Sequence, residues 1–223
     1  MRLGHPRLHL RETTSTNDRA RALASAGAPP GTIVTTGLQT AGRGRQGRTW
    51  TTPPDRALLL SVIVPAADPL LPLRAGLAVA DLAGPAARVK WPNDVLVDGR
   101  KVAGILVEGR PQEGWAVVGM GINVALRDED LVEGAGTLGR SPGELEDALR
   151  ELLDHLERRI EEDHEASLRA VRERDALLDR PVRWSAGEGV AAGIDARGAL
   201  RVRLADGSEI ALDAGEVHLV APA

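Results

Sequence analysis

The sequence predicts an α/β protein built on a mixed, mostly antiparallel sheet flanked by helices, with a small C-terminal barrel of short strands. Apolar runs at 57–64 and 94–108 are typical of buried strands and a hairpin. Apolar residues recur with helical spacing at 70–82 and 141–178, which favours helices packed on that sheet. After Pro181, short strand-like runs alternate with glycine and Asp-Gly turns, a pattern typical of a small barrel.

The first elements predict a helix, a strand and a long loop in that order. Hydroxyl residues at 13–16 precede a short helical pattern that ends at Gly27, so we expect a polar helix start able to face a ligand. The β-branched run at 32–36 predicts a strand, and the Gly- and Arg-rich stretch 39–48 predicts a loop. This loop therefore lies between two strands of the predicted sheet.

A hairpin is the clearest local prediction in the middle of the chain. Apolar runs at 94–97 and 101–108 flank Asp98-Gly99, a dipeptide that favours a two-residue turn between antiparallel strands. Two further strands are predicted at 88–91 and 115–118. Strands that follow one another with such short connections pair antiparallel, so we predict a mostly antiparallel sheet in the middle of the chain.

Beyond residue 141 the pattern changes to amphipathic helices and then to short strands. The apolar face of the helices consists of Leu145, Leu149, Leu152, Leu153, Leu156 and Ile160. We therefore predict two domains, a larger one over 1–178 and the small barrel over 179–223. No stretch resembles a signal peptide or is apolar for long enough to span a bilayer, and we expect a cytoplasmic protein.

Composition excludes several classes of site and partner. The chain has 223 residues, no cysteine and a formal net charge of -4. Without cysteine there is no disulfide framework, thiolate nucleophile or zinc-thiolate site. The five histidines are scattered without metal-ligand spacing, and the net negative charge gives no general attraction to nucleic acid.

The loop 39–50 is the first candidate site. Arg43, Arg45 and Arg48 are separated by glycines, which suits a pliable loop that wraps a phosphate-bearing ligand. An exposed basic loop is the plainer interpretation of the same composition. The segment also approaches the P-loop pattern, but the residues after Trp50 cannot readily begin the required helix, so that interpretation fails.

Two further motifs carry polar side chains among apolar residues. Lys90 ends a predicted strand, where a buried ammonium is costly unless it meets an anion. A salt-bridged or snorkelling lysine explains it equally well. Gly119, Gly121 and Asn123 allow close backbone approach to a ligand and supply a donor and an acceptor, although a structural turn has the same composition.

In combination these motifs resemble the biotin protein ligases. The matching segments are Ser15-Thr16-Asn17, residues 39–50 with their Gly-Arg-Gly-Arg core, Lys90-Trp91-Pro92-Asn93-Asp94, Gly-Ile-Leu-Val-Glu at 104–108 and Gly-Met-Gly-Ile-Asn at 119–123. The resemblance covers nearly the whole chain. It implies a class II synthetase-like catalytic domain with an SH3-like barrel. Because the motifs begin at Ser15, it also implies a monofunctional member without a DNA-binding domain.

The resemblance implies a role for each motif residue. Lys90 would be the catalytic residue, orienting the biotin carboxylate as it attacks the α-phosphate of ATP. The residues implied for biotin are Ser15, Thr16, Asn17, Gln39, Arg43, Gly44, Arg45, Lys90 and Gly119. Those implied for the nucleotide or adenylate are Arg43, Arg45, Arg48, Trp50, Asn93 and Asn123. The glycine-rich loop would close as a lid over the reactive intermediate.

The same resemblance implies the substrates and the partner. ATP and biotin would be substrates with Mg²⁺ but without direct protein ligands to the metal, and the partner a biotin carboxyl carrier domain. We expect no nucleic acid or membrane partner, and the oligomeric state stays open, with a homodimer as one option. Two rivals remain: a lipoate ligase or octanoyltransferase of related fold, and a nucleic-acid-binding module that uses the loop arginines.

Overall fold

The computed structural model describes residues 1–66 and 68–220, and it contains two sheets. Residues 221–223, the end of the second predicted domain, lie outside the described residues. The strands of the larger sheet are β1 (Arg7–Leu10), β2 (Ile33–Thr36), β3 (Ala57–Pro65), β4 (Ala87–Lys90), β5 (Asp94–Val97), β6 (Arg100–Arg110) and β7 (Trp115–Asn123). Their order across the sheet is β1-β2-β3-β7-β6-β5-β4.

Pairing in this sheet confirms the mixed, mostly antiparallel fold class. Only β1 and β2 pair in parallel among the described strands, and each of the other neighbours pairs antiparallel. The predicted hairpin is present, since β5 and β6 flank the turn at Asp98-Gly99. Strand β1 has no counterpart in our sequence predictions, because it has only four residues and most of them are exposed.

Four α-helices cover the two faces of the sheet. They are α1 (Thr16–Ser25), α2 (Leu71–Ala83), α3 (Leu145–Glu161) and α4 (His164–Glu173). Alternate residues of a strand face opposite sides of the sheet. Leu60 and Val62 of β3 therefore join the main core with α2 and α3, whereas Ile63 joins a smaller core with Ala20 of α1.

Helix α1 begins where the sequence predicts, but its start is satisfied differently. Ser15 occupies the N-cap position without a side-chain capping bond. Instead, the Thr16 amide donates to Gln39 Oε1 over 2.8 Å. A long-range side chain thus replaces the predicted local hydroxyl cap, and it ties the helix start to the loop.

Strand β7 is longer than predicted and runs through the glycine-rich motif to Asn123. Gly119 and Gly121 are two residues apart and so lie on one face of the strand. A Cβ on Gly119 would overlap the Asn17 side chain, and a Cβ on Gly121 would lie 2.6 Å from Trp50. The glycines therefore continue the strand and leave room for two side chains packed on it.

The C-terminal sheet contains β8 (Pro181–Trp184), β9 (Gly187–Ile194), β10 (Leu200–Arg203), β11 (Glu209–Leu212) and β12 (His218–Leu219). Its order is β11-β10-β9-β8-β12, and all its pairings are antiparallel. Within residues 1–66 and 68–220 the outer strands β11 and β12 do not pair, so the predicted barrel is not closed. The two-residue length of β12 limits its pairing to β8.

The two sheets meet at the end of β4. The buried Trp91 donates its indole N–H to the carbonyl of Gly198, in the turn between β9 and β10, over 3.0 Å. Gly198 has a φ of 84°, and a Cβ there would lie 2.6 Å from Leu70 Cδ2. This close approach fixes the C-terminal sheet beside Lys90. No described helix has the length and apolar character needed to cross a membrane.

Candidate functional site

A cavity of about 520 Å³ lies on the face of the larger sheet that carries α1. Loop 39–50 and the ends of β4, β6 and β7 surround it, and residues 215–217 of the C-terminal part complete its wall. Every site residue named from the sequence lines this one cavity: Ser15, Thr16, Asn17, Gln39, Arg43, Gly44, Arg45, Arg48, Trp50, Lys90, Asn93, Gly119 and Asn123. Its volume is within the range of ligand-binding cavities.

One end of the cavity is polar and rigidly organised around Asn17. The Asn17 amide nitrogen donates to Glu108 Oε2 over 2.7 Å and to the Leu106 carbonyl over 3.3 Å. Its oxygen lies 2.6 Å from the hydroxyl of the fully buried Ser61. Gly119 lies directly beneath, where any Cβ would collide with Asn17. The Asn17 amide is therefore fixed in orientation, as a recognition group must be.

Gln39 and Thr16 extend the same polar end. Gln39 Oε1 accepts from both the amide and the hydroxyl of Thr16, over 2.8 and 3.1 Å. Thr16 Oγ1 also lies 2.7 Å from the Ser61 hydroxyl. These contacts connect three elements, α1, β3 and the loop, and they place amide and hydroxyl groups together at one end of the cavity.

An indole ring forms the apolar floor at the centre. Trp50 lies against Gly104 and Gly121, which are directly paired between β6 and β7. The Lys101 Nζ lies 5.5 Å from the ring centroid, within cation–π distance. Trp50 Nε1 is buried and has no hydrogen-bond partner among the described residues. Apolar side chains along the cavity also include Leu106, Leu126 and Val132, in a chain without Phe or Tyr.

Two asparagines that the sequence associates with a nucleotide have different surroundings. Asn123 is buried, and its nitrogen donates to the Gly136 carbonyl over 2.9 Å. Its oxygen has no partner among the described residues, so it is free to accept a hydrogen bond from a ligand. The Asn93 side-chain nitrogen instead donates to the Ile105 carbonyl over 2.8 Å, and the Asn93 backbone carbonyl accepts from the Ile105 amide. Asn93 therefore fixes the chain between β4 and β6.

Cationic side chains gather at the end of β4. Lys101 Nζ lies 2.6 Å from Asp94 Oδ1. Burial is the main cause that lowers the pKa of Lys90. The positive charges of Lys101 and Arg48 lower this pKa further, whereas the negative charge of Asp94 raises it. Burial also lowers the pKa of Arg45, which likewise lies near Asp94 and Arg48. Lys90, Lys101 and Arg45, grouped around the single carboxylate of Asp94, favour a ligand that carries phosphate charge.

The glycine-rich loop is itself a small hairpin. Arg43 pairs with Thr49, and the Gly44 amide donates to the Arg48 carbonyl over 2.7 Å. The tip includes Gly47 in the left-handed region, with a φ of 76°. Arg48 forms an ion pair with Glu216, so the loop also contacts the C-terminal part of the chain.

Arg43 anchors the base of this hairpin. Its guanidinium binds Asp18 of α1 through two hydrogen bonds of 2.7 and 2.8 Å and also lies 3.4 Å from Glu108. The hydrogen bonds to Asp18 raise the pKa of Arg43. The sequence predicts that Arg43 contacts biotin and the adenylate phosphate; in this structure its guanidinium is engaged by the carboxylates of Asp18 and Glu108, and the contact with a ligand stays a prediction.

Sequence reasoning missed several residues that shape the site. Lys101 was considered only as part of a hairpin strand, although a lysine near the start of an otherwise apolar strand is visible in the sequence. Asp18 and Ser61 lie in a helix and in an apolar strand, and no local pattern distinguishes them. Their roles depend on contacts across 25 and 44 residues of sequence.

No metal centre is present in the part of the chain that the structure describes. Across residues 1–66 and 68–220, no three acidic or histidine side chains cluster as a metal ion requires. Asp94, the carboxylate nearest the cationic end, is already engaged by Lys101. The donor set at this end therefore fits an anion better than a metal ion.

Comparison with protein families gives two matches. Residues 10–124 match the model of the Biotin/lipoate A/B protein ligase family. Residues 178–220 match the model of the Biotin protein ligase C terminal domain. The first match covers more than half of the 223 residues and includes every motif of the cavity named from the sequence.

Individual proteins agree with these models. The chain is 37% identical over 147 residues to the Bifunctional ligase/repressor BirA of Bacillus subtilis, covering 59% of this chain and 45% of that protein. It is 40% identical over 141 residues to the Biotin--[acetyl-CoA-carboxylase] ligase of Mycobacterium tuberculosis, covering 57% and 52% respectively. The matched region thus spans about half the length of these relatives.

Among solved structures, the chain is similar to the biotin protein ligase from Aquifex aeolicus in complex with biotin and ATP. The TM-score is 0.83 with 25% sequence identity, and the superposition covers 98% of this chain and 100% of the other. The similarity in fold therefore extends over both sheets.

Proposed function

The chain belongs to the biotin/lipoate A/B protein ligase family, and on that premise we propose that it is a biotin–protein ligase. It activates biotin with ATP to biotinyl-5'-AMP and then transfers biotin to a lysine of a biotin carboxyl carrier domain. The observation that carries this proposal is one cavity with a fixed polar end, an indole floor and a cationic end. These three features match the ureido head of biotin, the adenine ring and the phosphate of the biotinyl-5'-AMP intermediate.

The polar end would bind the ureido head of biotin. A cyclic urea offers two N–H donors and one carbonyl acceptor in a plane, which a set of fixed amide and hydroxyl groups can satisfy. Ser15, Thr16, Asn17 and Gln39 supply such groups around Gly119. Because Asn17 is already held by its own contacts, little side-chain entropy is lost on binding.

The cationic end would perform the first step. An oxygen of the biotin carboxylate attacks the α-phosphorus of ATP and forms a new P–O bond. The bond from the α-phosphorus to the oxygen that bridges to the β-phosphate breaks, and pyrophosphate leaves. Lys90, Lys101 and Arg45 would stabilise the negative charge that develops on the phosphate oxygens, which is electrostatic catalysis by preorganised groups. We expect Mg²⁺ to arrive on the triphosphate, since the described residues provide no metal site.

The nucleotide would occupy the region near Trp50 and Asn123. The free Asn123 oxygen can accept a hydrogen bond from an exocyclic amine, and the Trp50 ring provides a flat surface. In the second step the neutral amine of the carrier lysine attacks the acyl carbon of the adenylate. An amide bond forms, the acyl–phosphate C–O bond breaks, AMP leaves, and the amine loses a proton to solvent.

The hairpin of loop 39–50 would retain the intermediate between these steps. Arg43 holds its base to α1, and Arg48 contacts Glu216. Both arginines thus have partners within the fold, an arrangement that disfavours the rival proposal of a basic surface for nucleic acid.

The direct test uses the purified chain with ATP, Mg²⁺ and a carboxylase carrier domain, with either biotin or lipoate as the acid. We expect the mass of the carrier to rise by one biotinyl group and to stay unchanged with lipoate. A carrier in which the acceptor lysine is replaced by arginine is the matched control and should gain nothing. Lipoyl transfer to a lipoyl domain at a comparable rate would support the rival ligase instead.

A further inference from the structure

The distribution of amines in this chain is unusual for an enzyme that makes an amine-reactive product. The sequence contains 28 Lys and Arg side chains, but only Lys90 and Lys101 are lysines. Both line the cavity. Every other cation in this group is an arginine, including those most exposed on the helices and on the C-terminal sheet.

The chemistry of the proposed intermediate makes this distribution significant. Biotinyl-adenylate is a mixed anhydride, and a neutral amine attacks its acyl carbon to form an amide while AMP leaves. Only the unprotonated nitrogen has the electron pair for this attack. With ordinary pKa values near 10.4 for lysine and above 12 for arginine, the unprotonated fraction at neutral pH is at least roughly a hundredfold smaller for arginine.

The two cavity lysines differ in their availability. Lys101 Nζ lies 2.6 Å from Asp94, an ion pair that keeps the ammonium occupied. Lys90 is partly buried at the end of β4, and burial lowers its pKa, which increases its unprotonated fraction. The α-amine of Met1 forms an ion pair with Glu161, and its pKa is raised chiefly by that hydrogen bond.

We propose that the folded chain resists acylation by its own biotinyl-adenylate and that any label it takes up lies on Lys90. The inference rests on the proposed function for the origin of the intermediate. It depends on three placements: both lysines in the cavity, Lys101 held by Asp94, and arginine at the exposed cationic positions. Intermediate that escapes the cavity thus meets no lysine elsewhere on the enzyme, because both lysines line the cavity.

The first test supplies synthetic biotinyl-5'-AMP directly, so that it does not depend on catalysis. The chain, carrying no lysine in its purification tag, is treated either folded or unfolded in guanidinium chloride and then mapped by peptide mass spectrometry. In the folded chain we expect either no label or label on Lys90 alone. In the unfolded chain we expect label on both lysines and on the α-amine. Label on Lys101 or on the Met1 amine of the folded chain would overturn the proposal.

A matched variant measures the effect of one exposed lysine. Arg169 is exposed on α4, takes no part in the cavity and has no ion-pair partner among the described residues. Arg169→Lys should acquire biotin at that position at a rate roughly a hundredfold above any reaction of the parent arginine. If the parent surface is labelled as fast as the variant, the absence of surface lysine gives no protection and the proposal is wrong.

A turnover reaction separates this inference from the proposed function. The chain is incubated with biotin, ATP and Mg²⁺ beside albumin as a lysine-rich bystander and a carrier domain. Label on the carrier with an unlabelled enzyme surface supports both proposals. If the carrier stays unlabelled, the proposed function fails, whereas the result with synthetic adenylate still decides whether the folded chain is resistant.

Discussion

Gly121→Ala should weaken nucleotide binding by displacing the indole floor of the cavity. The new Cβ would lie 2.6 Å from Cε2 and Nε1 of Trp50, closer than real side chains approach. The ring must therefore move away from the paired glycines. Overpacking of this kind costs about 1–3 kcal/mol, which corresponds to roughly a 5- to 150-fold loss of affinity if the ring contacts the nucleotide.

Gly109→Ala is the matched control for this substitution. Gly109 lies on the neighbouring strand β6, and its added Cβ would meet Ala116 at an ordinary 3.6 Å. Titration calorimetry with ATP and thermal unfolding of both variants separate binding from stability. We expect both variants to stay folded, with the loss of ATP affinity confined to Gly121→Ala.

A double-mutant cycle with Trp50→Ala isolates the cause. Once the ring is absent, Gly121→Ala has nothing to displace, so its effect on ATP affinity should largely disappear. An unchanged affinity in the single Gly121→Ala variant would refute the placement of the nucleotide on Trp50. An undiminished effect in the absence of Trp50 would refute the steric reasoning.

Three further predictions concern the charged residues. Lys101→Met should lower biotin-dependent pyrophosphate release by roughly 10²–10³-fold with an unchanged circular dichroism spectrum, and a near-normal rate would remove Lys101 from the chemistry. Because burial lowers the pKa of Lys90, its positive charge is lost at a lower pH than for an ordinary lysine, so adenylate formation should decline as pH rises through that lowered pKa. In Lys90→Arg the alkaline decline should move to higher pH, and a pH–rate profile identical to the parent would exclude Lys90 as its origin. Asp18→Asn should release the base of the hairpin and increase escape of adenylate a few-fold, because each partner of the Asp18–Arg43 pair is about 40% exposed and such pairs are worth about 1 kcal/mol or less. A streptavidin blot of added albumin measures this escape; Arg43→Gly should act in the same direction, and equal labelling by parent and variants would show that the loop is not the lid.

The sequence predicted the architecture well where a local pattern encodes it. The Asp98-Gly99 hairpin and the amphipathic α3 were predicted because turn chemistry and apolar spacing are read from a few adjacent residues. Strand β1 was missed because its pairing with β2 depends on residues more than 20 positions away. The small barrel was predicted from short strand-like runs between glycine turns, a pattern that does not determine how far β12 pairs.

The candidate site was predicted in composition but only partly in detail. Motif residues from five segments converge on one cavity, but the sequence could not show that Arg43 is held by Asp18 or that Asn93 bonds to β6. It also expected Gly121 to allow close backbone approach to a ligand or to form a turn, whereas in the structure Gly121 lies in a strand and packs against Trp50. Such relations depend on side chains meeting across the fold. The roles assigned to these residues, and the domain division at 178, stay predictions.

The cavity should form and hold an acyl-adenylate of biotin before any carrier is present. To measure this, the chain is incubated with biotin, ATP and Mg²⁺, free ligands are removed by rapid gel filtration, and biotinyl-5'-AMP is quantified after acid denaturation. We expect close to one adenylate per active chain, with discharge to a carrier domain on its addition and little adenylate in Lys101→Met. Biotinylation of the carrier without any isolable adenylate, or no biotin-dependent pyrophosphate release at all, would contradict this expectation.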